Sequence, residues 1–104
     1  MNFFAYNRMG ESIPEPNTQV MQSLLASVSE GDPEHPCVSL NTEDGWAISY
    51  HPSHTLIFEN VETGEGPWHL KDVSPEAALL IWKQLSQGLN SDLKNKGWVA
   101  GYGN

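Results

Sequence analysis

Apolar positions along this chain follow two different spacings, and the change between them marks its elements. Val20, Met21, Leu24, Leu25 and Val28 recur at the spacing that gathers side chains on one helical face, which predicts a first helix. Asn17 or Thr18 is placed to cap its start and Gly31 to stop it. Beyond the loop Asp32-Pro33-Glu34-His35-Pro36 the pattern becomes short β-rich runs: Val38 to Leu40, Trp46 to Tyr50, Thr55 to Phe58 and Trp68 to Leu70. Glu43-Asp44-Gly45, His51-Pro52-Ser53-His54 and Glu62-Thr63-Gly64-Glu65-Gly66 separate them as turns. Within the second run Trp46, Ile48 and Tyr50 alternate with Ala47 and Ser49, the period of a strand with one buried face.

A second helix announces itself at Ser74-Pro75-Glu76. Serine caps, proline sits in the first turn where its missing N–H costs nothing, and glutamate complements the dipole. Ala78, Leu79, Ile81, Trp82 and Leu85 form its apolar stripe, and Gly88 terminates it. The aromatic run Phe3, Phe4 and Tyr6 reads as an edge strand or as a plug beneath a helix, and Ile13-Pro14-Glu15-Pro16 reads as an extended connector. Leu93, Trp98, Val99 and Tyr102, set among Gly97, Gly101 and Gly103, suggest a short turn and a closing strand. The expected architecture is one α+β domain over residues 1–104, an antiparallel meander of four to five strands with two helices packed against it.

Length and charge narrow the functional classes. A chain of 104 residues with a formal charge of −8 holds one modest core and repels phosphate backbones and anionic lipid, so no direct nucleic-acid or membrane partner is expected. Cys37 is the single cysteine, which fits a reducing compartment. The first residues lack a basic leader with an apolar core, and no run approaches the roughly 18 apolar residues of a membrane span, so a cytoplasmic location is expected.

Candidate chemistry is sparse. His51-Pro52-Ser53-His54, with His35, Cys37 and His69, contains metal-ligand residue types, but at a spacing that turn histidines also show. Cys37 with a distant histidine lacks the signature of an activated thiol. The acidic pairs sit in turns beside glycine, where carboxylates are ordinarily solvated. Gly64-Glu65-Gly66 runs into Pro67 and Trp68, with no helix start to hold a phosphate. No cofactor, metal or catalytic residue is therefore expected.

The charge is unevenly distributed. Residues 1–70 hold ten acids against the single base Arg8, whereas residues 71–104 hold three acids against four lysines. Asp32, Glu34, Glu43, Asp44, Glu59, Glu62 and Glu65 concentrate around the predicted sheet's turns and loops. Either they form a solubilising surface, or they join aromatics among Trp46, Tyr50 and Trp68 and the histidines in a docking surface for a cationic protein, with Trp82 and Trp46 expected in the core.

The meander, the stretch Val73-Ser74-Pro75-Glu76-Ala77-Ala78-Leu79-Leu80-Ile81-Trp82-Lys83-Gln84-Leu85-Ser86-Gln87-Gly88 and the closing Gly97-Trp98-Val99 resemble small bacterial immunity proteins. These neutralise polymorphic toxins, including toxins of contact-dependent growth inhibition. The resemblance rests on general layout and on the helix-then-Trp ending, and covers roughly the last two-thirds of the chain. It implies an inhibitor without activity of its own that binds a cognate cytotoxic domain, a basic nuclease (RNase), and blocks its active-site cleft with an acidic surface. The seven acids above are then the partner-binding residues. Two other classes fit the letters: a small metal- or ligand-binding domain or enzyme using His35, Cys37, His51, His54 and His69, and an adaptor subunit unrelated to toxins.

Overall fold

Seven short strands and two helices account for most of the residues placed by the computed structural model, which describes 3–28, 37–88, 93 and 95–101. The strands are β1 (Phe3–Tyr6), β2 (Ser12–Pro14), β3 (Val38–Thr42), β4 (Trp46–Tyr50), β5 (Leu56–Asn60), β6 (Trp68–Leu70) and β7 (Val99–Ala100). The helices are α1 (Thr18–Ser27), between β2 and β3, and α2 (Pro75–Ser86), between β6 and β7. All strands join one open antiparallel sheet in the order β2-β1-β3-β4-β5-β6-β7. The architecture is α+β, with the four predicted strands forming its contiguous centre.

The expected count of four to five strands is too low. Ser12-Ile13-Pro14, read as a connector, pairs with β1 as an edge strand, while the aromatic run Phe3–Tyr6 lies inside the sheet between β2 and β3. Proline is tolerated in β2 because an edge strand has one side with no ladder to complete. The opposite edge, β7, has only two residues. Gly31, the expected stop of α1, lies outside the described residues, and α1 ends at Ser27 with Val28 as its cap.

Both helices start as the sequence predicts. The Asn17 side chain accepts from the Val20 N–H, and the Ser74 hydroxyl accepts from the Ala77 N–H behind Pro75. Each satisfies an amide that the first helical turn leaves without a partner. Met21, Leu24 and Leu25 of α1 and Ala78, Ile81, Trp82 and Leu85 of α2 share one core with Ala5, Leu40, Ile48, Tyr50, Leu56 and Phe58 of the strands. Alternation along the strands therefore turns one sheet face toward both helices. Trp82 is fully buried there, and its indole N–H donates to the Ile48 carbonyl at 3.1 Å. Tyr50 donates from its hydroxyl to the Val73 carbonyl at 2.7 Å, tying β4 to the approach to α2. The Phe58 ring sits among Trp46, Trp68 and Trp98 with centroids 4.9, 5.7 and 5.2 Å away.

Replacing Trp82 by alanine is expected to cost about 3–5 kcal/mol of unfolding free energy, from lost contacts and the cavity left behind. Trp82→Phe keeps much of the apolar volume and loses the donor to Ile48, for about 1 kcal/mol from the hydrogen bond. Urea denaturation followed by tryptophan fluorescence and circular dichroism measures both; equal midpoints for the wild type and Trp82→Ala would contradict this packing.

Candidate functional site

Antiparallel order places the β3–β4 turn and the β5–β6 loop at the same end of the sheet, and both are acidic. Glu43 and Asp44 occupy the first, Glu62 and Glu65 the second, and Glu59 points outward from β5 beside Ala47 of β4. Five of the seven acids singled out in the sequence are thereby brought together. Asp32 and Glu34 lie outside the described residues. Glu15, which the sequence reading left in a connector, joins the same end, because its amide donates to the Phe3 carbonyl at the start of β1. Arg8 with Glu11, in the β1–β2 turn, and Lys71 with Asp72, after β6, lie at the opposite end.

One buried side chain joins the two acidic connections. Asn60 is 4% exposed; its Nδ2 donates to the Asp44 carbonyl at 3.1 Å, while its Oδ1 accepts from the Glu62 and Thr63 amides at 2.9 and 3.0 Å. The Val61 amide donates in turn to the Gly45 carbonyl at 2.9 Å. Gly45 has φ +93°, and a β-carbon there would lie 2.6 Å from Asn60 Oδ1 and 2.8 Å from Glu62 Cγ. A side chain at that position would meet both a strained backbone and the neighbouring loop. Thr42 donates from its hydroxyl to Asp44 and accepts from the Trp46 amide, closing the first turn. The acids thus stand on connections whose backbone is pinned from beneath.

Sequence reasoning missed Asn60 and Gly45 as the organisers of this end. The available signal was an asparagine directly after a β run, a residue type whose side chain closes turns on the amides that follow it. Of the aromatics named beside the acids, Trp46 lies in the core as expected, and Tyr50 is withdrawn from the docking surface. Trp46 is 7% exposed and Tyr50 1%, so both belong to the core, and Trp68 is half-buried against Phe58. Val61, 70% exposed, is the apolar residue that stands among the acids.

The histidines do not converge with the acids. His51 and His54 lie in the β4–β5 turn at the other end, where the His51 ring bonds the Ser49 hydroxyl at 3.0 Å and His54 stacks on Tyr50. His69 Nδ1 bonds the Gly101 carbonyl at 2.9 Å. His35 lies outside the described residues. Among the described residues, no group of three or more His, Cys, Asp or Glu side chains is arranged to hold a metal ion. Cys37 precedes β3 and His51 follows β4, at the same end of that strand pair. Burial pushes the Cys37 thiol up and the His51 imidazole down, favouring the neutral forms of both rather than thiolate and imidazolium.

Among the described residues no helix is long and apolar enough to cross a membrane. Comparison with known proteins gives no match: no protein family, no curated protein and no solved structure matches the chain.

Asn60→Ala removes one donor and one doubly used acceptor from a buried position, with an expected loss of about 2–3 kcal/mol and faster amide exchange at Glu62 and Thr63. Hydrogen exchange measured by NMR checks this, and unchanged protection at those amides would count against the bracing role. His51 supplies a pH dependence. Its folded-state pKa is lowered from 6.5 by burial, so the unfolded chain takes up the proton first, and the associated stability, present above pH 6.5, is lost as the pH falls through the folded value. His51→Gln is expected to flatten that segment of a stability-against-pH curve.

Proposed function

We propose that this protein is an immunity-type inhibitor that binds a basic cytotoxic domain, a nuclease by preference, through the acidic end of its sheet. The observation that carries this reading is the meeting of Glu43, Asp44, Glu59, Glu62 and Glu65 at one end with no Lys or Arg among them, whereas at the other end Arg8 and Lys71 are accompanied by Glu11 and Asp72. A nuclease cleft must attract phosphate, so it presents positive potential. Carboxylates held on a firm backbone meet that potential without the ordering cost of a flexible acidic tail. The arrangement favours rapid encounter, and the inhibitor then covers the cleft and excludes substrate. The resemblance to small immunity proteins points the same way. Chemistry by the protein itself has less support, because the described histidines are spread over several positions and Cys37 is held as a neutral thiol.

The partner to test is the polypeptide encoded by the adjoining reading frame. Co-expression is expected to relieve its toxicity, and the purified pair is expected to associate faster than the neutral range of about 10⁵–10⁶ M⁻¹s⁻¹, with a rate that falls steeply as salt rises. Changing Glu43, Asp44, Glu59, Glu62 and Glu65 to their amides should slow association by about tenfold or more. Full protection and an unchanged rate from that variant would sink the electrostatic reading.

A further inference from the structure

We infer that the helix-free face of the sheet, continuous with the acidic end, is the central contact surface for this same basic partner. The inference rests on the function proposed above and adds where the partner sits. Both described helices lie on one side of the sheet, and no described element covers the other. The strand registers set Tyr6, Ser39, Ser49, Ile57 and His69 in one row across that open face, with Phe4, Asn41, Ala47 and Glu59 in the next. Phe4 and Tyr6 form an edge-to-face pair at 5.3 Å on one flank, where Tyr6 is 40% exposed, whereas Ile57 and His69 towards the other flank are buried and add little accessible area. Small side chains fill the middle.

Composition separates this face from an ordinary solvated one. None of the seven strands contains a lysine or arginine, and Glu59 is their only charged residue. Exposed sheet faces normally carry polar and charged residues that keep them soluble and single. A face almost stripped of charge, with an aromatic pair on one flank and a charged rim at one end, has the anatomy of an interface centre. The rim here is wholly acidic at the β3–β4 end, which selects a cationic partner. Glu59 connects the two zones, lying on the open face and pointing outward next to the acidic turns.

Size supports treating the two zones as one surface. Six strand spacings of about 4.8 Å and strands about 15 Å long give the face an area of about 430 Å² in projection, short of the roughly 800 Å² each partner contributes to a standard interface. The face alone does not reach it, and the acidic turns are the adjoining surface that extends it.

The probe is again the polypeptide of the adjoining reading frame, with affinity measured by calorimetry and folding by thermal melting. Ala47→Arg places a cation in the middle of the open face and is expected to weaken binding about thirtyfold or more, while Tyr6→Ala, at a position 40% exposed, weakens it severalfold without touching the core. Leu80→Arg, at a position 64% exposed on the helical side, should bind as the wild type does. Folded Ala47→Arg and Tyr6→Ala variants that bind like the wild type would overturn the placement while leaving the proposed function standing. Equal weakening by Leu80→Arg would overturn it too, by putting the contact on the helices. No binding by the wild type would overturn the function itself, and this inference with it.

Discussion

Antiparallel pairing reverses the chain at every strand, so successive connections fall alternately at the two ends of a sheet. The rest of this molecule follows from that constraint. Glu43 and Glu62 are far apart in sequence, yet their connections belong to the same end because β4 runs down and β5 runs back. The His51-to-Thr55 turn falls at the other end by the same rule. The gathering of Glu43, Asp44, Glu62 and Glu65 is thus produced by topology, while Glu11 and Asp72 fall at the other end by the same rule.

Asn60 converts this coarse placement into a fixed one. A solvent-exposed turn ordinarily leaves several backbone groups to water, and its side chains sample many positions. Here a buried amide group uses donor and acceptor together, bridging from the second connection to the first, and Gly45, lacking a β-carbon, leaves room for the Asn60 and Glu62 side chains that make the join. Like-charged side chains gathered in this way repel one another. The bonds beneath them hold the backbone against that repulsion, which is partly relieved by water and salt.

The elements with strong local signals were legible in the letters. Ser74-Pro75 marked the start of α2, and the alternation of Trp46, Ile48 and Tyr50 marked both a strand and its buried face. The turn acids could be identified as a group from charge counting alone. What could not be read was long-range. Nothing local in Phe3–Tyr6 says that it inserts between β2 and β3, and two residues such as Val99-Ala100 become a strand only because β6 offers a free edge. Whether Tyr50 served the core or a contact surface was open for a related reason: aromatic residues serve interfaces and cores equally well, and only the sheet's arrangement against the helices decides between them.

An open sheet has two borders, and here each is blunt. One ends in Pro14 after three residues and the other extends for only two. A border so brief offers too few amides for a foreign strand to dock in register, and proline withholds one of those few. Strand-by-strand growth into ribbons is therefore discouraged at both margins without closing the sheet into a barrel. The broad surface between them stays accessible while the molecule remains a poor template for its own aggregation.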